Sequence, residues 1–277
     1  MVIINRVINI GNSIGIDMAR STSIVMLIIF ASISLSGCLF SSDEDGSIEL
    51  TITYDSNFET IVETYSEGEL VQTNPARFEF DFSETTASEI IQYFGINPSD
   101  GRDAIEIDAS NDSIVSLEFY EHGMYEIDAY AIDSNGVKTN QTIGLRVDLR
   151  IEWRQTDTNN PIALPFNPEP ANQGQNAKMI EIISNVENPS LVNNIGDSGQ
   201  SIQLTWQLVD ELDDICQTRN GQVNDGDSMM WQTLYFNTYM LHELRIVMDD
   251  GQDLINVNHS VSILYCLLYT SDAADDT

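Results

Sequence analysis

The sequence has very few basic residues and hardly any histidine or cysteine. Its 277 residues include 11 Lys and Arg against 44 Asp and Glu, so the formal net charge is −33. Only two of the basic residues are lysines, Lys138 and Lys178. A surface with this charge repels nucleic acid and anionic lipid headgroups, so we expect no nucleic-acid partner.

Motifs of catalysis are also lacking. The three histidines are His122, His242 and His259. His242-Glu243 begins like the zinc-protease helix motif, but residue 246 is Ile and the surrounding residues alternate as in a strand. The sequence has no Gly-x-Ser-x-Gly elbow and no phosphate-binding glycine loop. Carboxylates are so numerous that a pair of them says little about glycosidase chemistry. We therefore predict no catalytic site and no enzyme activity in this chain.

The N-terminal region carries an export signal. Residues 24–35 are apolar, too few to span a bilayer comfortably, and residues 41–46 are polar and acidic. Between them stands Leu35-Ser36-Gly37-Cys38, which resembles the lipobox of secreted lipoproteins. The resemblance implies cleavage before Cys38, a lipid on Cys38 and an extracytoplasmic, membrane-anchored protein of a bacterium or archaeon. An ordinary signal peptide or an uncleaved anchor helix is the alternative.

The two ends of the sequence are set apart from the fold. Residues 1–17 do not fit a signal peptide, so the start is predicted at Met18, with the signal peptide ending at residue 37 and an acidic tether at 38–47. Residues 266–276, from Cys266 to Asp276, resemble a translated sequencing adapter. We therefore expect different natural residues after Tyr265, with a genuine disordered tail as the alternative.

Strand signals dominate the rest of the chain. Apolar and polar residues alternate over short runs with Asn, Asp and Gly between them, which predicts an all-β fold of two antiparallel β-sandwich domains. We place the first domain at 48–154 and the second, truncated, at 178–265. The segment 155–177 contains four prolines and is predicted as a long connection. A brief helix is considered at 88–94.

Both halves resemble domains of the polycystic-kidney-disease (PKD) type and, more generally, immunoglobulin-like sandwiches. The final hairpin of that family resembles residues 123–136 and, in a shorter version, residues 242–251. Its central strand with a buried Trp resembles residues 202–206, which places Trp206 inside. The Trp-Asp-Phe-Gly-Asp-Gly stretch of the family is absent from both halves. The resemblance implies extracellular modules that space, stiffen or bind.

Three kinds of candidate site follow from the residues. Oxygen-rich turns are weak Ca²⁺ candidates, although none has the spacing of a full calcium loop and a solvated turn is favoured. The aromatic group could line a carbohydrate-binding face, although core packing is favoured. Sequons permit surface glycans. The Ca²⁺ candidates are Asp225, Asp227, Asp249, Asp250 and Asp253. The aromatic group is Trp231, Tyr235, Phe236 and Tyr239, and the sequon asparagines are Asn111, Asn140 and Asn258.

One cysteine remains after the ends are removed. Cys216 is predicted to be a buried apolar residue, with pairing to a cysteine beyond Tyr265 as the alternative. The sequence as a whole predicts a lipid-anchored surface protein that binds, adheres or spaces, with a surface protein or glycan as partner and no cofactor other than a possible Ca²⁺. The alternative is the non-catalytic stalk of a surface enzyme whose catalytic domain lies beyond Tyr265.

Overall fold

A computed structural model describes residues 47–190, 199–251 and 253–265. Within these residues the chain forms 17 β-strands and no helix, which confirms the predicted all-β class. Accordingly, these residues include no helix that is long and apolar enough to cross a membrane. The lipobox with Cys38, residues 38–46 of the tether and residues 266–277 lie outside the described residues.

The strands vary in length from two to 21 residues. In chain order they are β1 (Ile48–Glu49), β2 (Phe58–Ser66), β3 (Glu69–Asn74), β4 (Ala76–Asp81), β5 (Thr86–Ala87), β6 (Ile91–Asn97), β7 (Ile105–Asp108), β8 (Ile114–Phe119), β9 (Gly123–Asp133), β10 (Lys138–Thr158), β11 (Leu164–Phe166), β12 (Met179–Glu187), β13 (Ile202–Asp210), β14 (Ile215–Val223), β15 (Ser228–Tyr235), β16 (His242–Asp250) and β17 (Ile255–Leu264).

The first sandwich pairs the beginning of β10 with β9, β6 and β7 in one layer. The facing layer consists of the pairs β4–β8 and β1–β5. Aromatic rings fill the space between the layers: the centroids of Phe82 and Phe94 are 5.0 Å apart, and those of Phe119 and Tyr125 are 4.2 Å apart. Alternation places these side chains on the inner face, as the sequence predicts.

The second sandwich has a larger layer in the order β3, β2, β10, β17, β12, β15. Its other layer has the order β11, β16, β13, β14. Trp206 of β13 is 0% exposed and lies 6.4 Å from the ring of Trp231 in β15. The prediction that Trp206 faces the core is confirmed.

Strand β10 belongs to both sandwiches. Residues 138–147 pair with β9, and residues 149–158 pair with β17 on one side, while β2 runs parallel to 146–154 on the other. Strands β2 and β3 precede the predicted first boundary yet belong to the second sandwich, so strand pairing crosses that boundary. The described residues fall within one compact unit, 46–277. The division into domains at 154 and 178 stays a prediction.

Each sandwich contains a strand glycine that makes room for a buried ring. A Cβ on Gly95 of β6 would lie 2.5 Å from Cζ of Tyr130, and a Cβ on Gly221 of β14 would lie 2.7 Å from Cζ3 of Trp206. Such distances are shorter than any real carbon contact. Glycine inside a strand commonly marks this kind of close approach.

Two sequence-based expectations are wrong. The brief helix at 88–94 is absent, because Phe94 and Ile96 are buried in the sheet as part of strand β6. Asn220-Gly221, whose composition predicts a turn, lies inside β14, where the glycine accommodates the Trp206 ring. The predicted connection at 155–177 contains the end of β10 and strand β11, whose Leu164 and Phe166 are buried.

Candidate binding surfaces

Asp225 and Asp227 lie between β14 and β15, Asp249 and Asp250 end β16, and Asp253 follows it; all five form hydrogen bonds within the protein. Asp249 accepts from the Thr205 hydroxyl at 2.6 Å, and Asp253 accepts from the backbone amide of Gln200 at 2.6 Å. The other three also accept hydrogen bonds from nearby residues. No group of three or more His, Cys, Asp or Glu side chains gathers around a metal-sized space in the described part of the chain. Calcium binding by these turns stays a prediction.

A serine and a histidine meet in the second core. The indole Nε1 of Trp206 donates to Oγ of Ser184 at 2.7 Å, and Nδ1 of His259 lies 2.9 Å from the same oxygen. The indole can only donate, so the Ser184 hydroxyl hydrogen is left to donate to an unprotonated Nδ1. Burial lowers the pKa of His259 to about 3. Both side chains are buried and lie on paired strands of the same layer, so it is the Trp206–Ser184 bond that joins the two layers of the core.

The aromatic candidates separate into core and surface. Trp231 is 5% exposed and Tyr235 is half-buried against His242, so core packing holds for these two. Phe236 is 66% exposed and Tyr239 is 64% exposed, so core packing is wrong for them. They follow the last residue of β15, in the segment 236–241, where strand alternation no longer decides which side chain faces inward.

Exposed apolar side chains also occur in the segments that adjoin these two rings in the fold. We name this surface the aromatic end, and its residues are Leu212, Ile215, Leu234, Phe236, Tyr239 and Leu241. The segments meet because His242 pairs with Asp210 across β16 and β13, and because Gln217 Nε2 donates to the carbonyl of Leu234 at 3.1 Å. Clusters of exposed apolar residues with a polar rim commonly mark interaction sites.

The aromatic end is held in place from beneath. The Thr238 hydroxyl is buried and donates to the carbonyl of Ala177 at 2.7 Å. His242 Nε2 lies 3.0 Å from the carbonyl of Asn237. These bonds fix the segment 236–241 from the inside while its two rings point outward. A partner would therefore meet rings whose backbone is already ordered, which lowers the entropic cost of binding.

Carboxylates flank the aromatic end. Asp213 and Glu243 both pair with Arg245, at 2.6 Å and 2.7 Å, so this guanidinium is already engaged by two acids. Asp210 accepts from the amides of Leu212 and Asp214 and shapes the turn between β13 and β14. The rim is therefore negative, which disfavours acidic partners and a second copy of this acidic chain.

A second candidate surface lies at one corner of the first sandwich. We name it the corner cleft; it is formed by the turn after β6, the β8–β9 corner and the segment 170–175. Two adjoining hollows of about 340 and 780 Å³ share Asp100, Tyr125 and Asn172 in their walls. These volumes lie in the range of small-molecule sites.

Internal bonds order the walls of the corner cleft. Arg102 donates from Nε and Nη2 to Asp100 at 2.8 and 2.6 Å and from Nη1 to the carbonyl of Glu118 at 2.8 Å. Its guanidinium carbon lies 4.9 Å from the centre of the Phe119 ring. Burial raises the pKa of Asp100, but the hydrogen bonds and charge of Arg102 prevail and hold it below its usual value.

One asparagine side chain holds the backbone of the opposite wall through hydrogen bonds. Asn172 donates from Nδ2 to the carbonyl of Met124 and accepts from the amide of Gly174, both at 2.9 Å. The Tyr125 hydroxyl donates to the carbonyl of Glu121 at 2.7 Å, and burial raises the pKa of Tyr125 to about 12. At the rim, Tyr120 is 59% exposed and the Glu121 side chain is open to solvent.

The remaining candidates are the sequon asparagines and Cys216, which adjoins Ile215 of the aromatic end. Asn111 is in the turn after β7, Asn140 is on β10, and Asn258 is on β17, and all three are exposed, as a glycan acceptor must be. Cys216 is half-buried, with its thiol directed at the carbonyl of Asp214 at 3.7 Å. Glycosylation at the sequons stays a prediction.

No family model matches the sequence, and no curated protein matches it. Among solved structures, carbohydrate-binding modules of the β-sandwich superfamily are similar at 10% identity and a TM-score of 0.27, covering 77% of this chain and 96% of theirs. Fibronectin(III)-like modules of Clostridium thermocellum CbhA are similar at 12% identity and a TM-score of 0.24, covering 78% and 94%. Bacteroides ovatus SGBP-B, solved with a mixed-linkage heptasaccharide, is similar at 10% identity and a TM-score of 0.20, covering 73% and 52%. Likeness at this level carries no argument about what the present chain binds.

Proposed function

We propose that this protein is a lipid-anchored module of the cell surface that binds or adheres to a surface partner through the aromatic end and does not catalyse a reaction. The observation that carries the proposal is the pair of exposed rings, Phe236 and Tyr239, on an ordered backbone. Exposed aromatic residues supply large contact areas at low entropic cost, which is why they are enriched in interfaces.

The anchor is supported by the sequence Leu35-Ser36-Gly37-Cys38. A lipid on Cys38 together with the acidic tether would hold the sandwiches outside the membrane. In a host that processes lipoproteins, we expect the full chain to sediment with membranes and Cys38→Ser to abolish this. Mass spectrometry that finds an unmodified Cys38, or an N-terminus at another residue, would contradict lipid anchoring. The proposal about the binding surface would be unaffected.

The binding surface is tested by adding fluorescent Cys38→Ser protein to a panel of bacterial and archaeal cells and measuring retention after washing. We expect the double variant Phe236→Ser, Tyr239→Ser to lose most of the retention, because the central contact area is removed. Tyr93→Ser, which removes an exposed ring at the other sandwich, serves as the matched control and should bind like the parent. Equal binding by all three proteins would overturn the role of the aromatic end.

The partner is a surface protein or a glycan, and pretreatment of the cells separates these two. Loss of retention after protease treatment identifies a protein, and loss after periodate oxidation identifies a glycan. The negative rim favours a neutral or basic partner in either case, so retention of an acidic test polymer such as polyglutamate should be negligible.

The alternative function is the stalk of a surface enzyme. The two sandwiches share strand β10, and this continuity would suit a spacer that holds a further domain away from the membrane. The complete gene separates the two proposals: a catalytic motif encoded beyond Tyr265 favours the stalk, and a stop codon or a further sandwich favours the adhesin.

A further inference from the structure

We infer that the corner cleft is a binding site for a short neutral saccharide. The cleft lies at the first sandwich and shares no residue with the aromatic end. The inference therefore does not rest on the adhesive role proposed for that surface.

The chemistry of the walls selects the class of ligand. A simple cation needs only acceptors and a simple anion needs only donors, whereas each hydroxyl of a sugar both donates and accepts. The cleft offers both kinds of group: the guanidinium of Arg102 donates, and the carboxylates of Asp100 and Glu121 accept. These groups stand beside the exposed ring of Tyr120, which provides an apolar face for the C–H surface of a sugar ring.

The positions of these groups are set before a ligand arrives. Asp100 and the carbonyl of Glu118 orient the Arg102 fork, and Phe119 supports it from below. The Tyr120 hydroxyl donates to Oε2 of Glu118 at 3.0 Å, which holds the ring at the rim. Preorganised polar groups of this kind lose little entropy on binding, so a weakly hydrophobic ligand can still gain net affinity.

The charge of the cleft walls restricts the expected ligand to neutral saccharides. Asp100 and Arg102 neutralise each other at 2.6 Å, so Glu121 and the neighbouring Glu126 leave the two hollows negative. An acidic sugar or a phosphate would be repelled. A polyamine would donate hydrogen bonds to the carboxylates of the cleft. It would also place a second cation against the free N–H groups of Arg102, and like charges repel each other.

The test is calorimetric titration of the full chain with three neutral trisaccharides, maltotriose, cellotriose and chitotriose, and with spermidine and inorganic phosphate. We expect saturable one-to-one binding of at least one trisaccharide and none of phosphate. Tyr120→Ala and Glu121→Gln should each raise the Kd for that trisaccharide about tenfold, since each removes one main contact. Tyr120→Phe keeps the ring and should stay within about twofold of the parent.

Tyr93→Ala is the matched control, because it removes an exposed ring of the same sandwich that belongs neither to the corner cleft nor to the aromatic end. It should leave the trisaccharide Kd unchanged. Circular dichroism checks that each variant is folded, which we expect because both substituted side chains are exposed. The inference is overturned if no trisaccharide saturates the folded parent, if spermidine binds more tightly, or if Tyr120→Ala binds like the parent.

Discussion

The cores of the two sandwiches are packed with different kinds of side chain. The first core is built from apolar rings, with Phe78, Phe80 and Phe82 on one layer facing Phe94 and Tyr125 on the other. The second core has Trp206 at its centre, hydrogen-bonded through Ser184 to His259. Apolar contacts are non-directional, whereas a buried polar network holds its members only when every partner is present.

This difference implies that the second sandwich is the more sensitive one. Loss of a ring from the first core leaves apolar neighbours that can move toward the cavity. Loss of Trp206 removes the ring and also leaves Ser184 without its donor in a buried site. An unsatisfied buried group costs more than the hydrogen bond contributed.

The largest effect is expected from truncation of the central rings. Trp206→Ala should lower the free energy of unfolding by about 3–5 kcal/mol, and Phe80→Ala in the first core should lie at the low end of the same range. Trp206→Phe keeps a ring but removes the donor and should cost about 1–3 kcal/mol. Urea unfolding measures all three variants. A Trp206→Ala protein as stable as the parent would show that Trp206 is not a core residue, and the proposed difference between the two cores would then be wrong.

The next effect concerns the two strand glycines. Gly95→Ala and Gly221→Ala each place a Cβ against a ring, Tyr130 and Trp206 respectively. Because overpacking forces side chains off their preferred positions, we expect each to cost about 1–3 kcal/mol. Gly144→Ala is the matched control: it also lies in a strand, but no atom stands within 4 Å of its Cβ position. Thermal unfolding should show two destabilised proteins and one that matches the parent; three equal midpoints would contradict the role of the rings.

These glycines show what the sequence could and could not predict about the fold. Alternation is regular in β4 and holds over most of β9 and β10, so these strands were predictable from the residues alone; the exceptions are Tyr130 and Asp148, which are buried although alternation predicts them on the outer face. Asn220-Gly221 has the composition of a turn, but the Trp206 ring of the neighbouring strand requires glycine there. That requirement is tertiary, so local sequence could not reveal it.

A smaller effect is expected from acid. The pKa of His259 is lowered by burial to about 3, whereas in the unfolded chain it is near 6.5. The unfolded state therefore binds more protons between these values, and stability falls as the pH falls below 6.5. At pH 5 the loss from this group is about 2 kcal/mol relative to pH 7. Urea unfolding at several pH values measures it.

The matched control for this pH dependence is His259→Gln, which cannot be protonated. It shares every other titrating group with the parent, including His122, whose pKa is also lowered by burial, and Asp148, whose pKa is raised by burial and which acts in the opposite direction. Subtraction of the two curves isolates His259. Parallel curves for parent and variant between pH 7 and 5 would show that His259 is not buried as a neutral group.

The candidate sites were less predictable than the strands, for a physical reason. Phe236 and Tyr239 were visible in the sequence, but their exposure depends on how the segment after β15 is held by Thr238. The corner cleft was missed altogether, because it joins Asp100, Tyr120 and Asn172 from three distant segments. The turn at Asp100-Gly101-Arg102 and the rim pair Tyr120-Glu121 are its only local signals. Loop conformation is set by such long-range contacts, which carry no periodic pattern.

The smallest effect is expected at the acidic turns of the second sandwich. Asp250 is exposed and accepts from the adjacent amide of Gly251 at 2.9 Å, so Asp250→Asn should change the free energy of unfolding by about 0.5 kcal/mol or less. The first sandwich offers Asp112 as the control, an exposed aspartate that accepts from the amides of Ser113 and Ile114. Thermal unfolding with calcium and with chelator should agree within about 2 °C for the parent and both variants. A much larger fall with chelator in the parent, abolished by Asp250→Asn but kept by Asp112→Asn, would mean that bound Ca²⁺ stabilises the folded state by mass action. In that case the second sandwich would differ from the first by a metal as well as by its polar core.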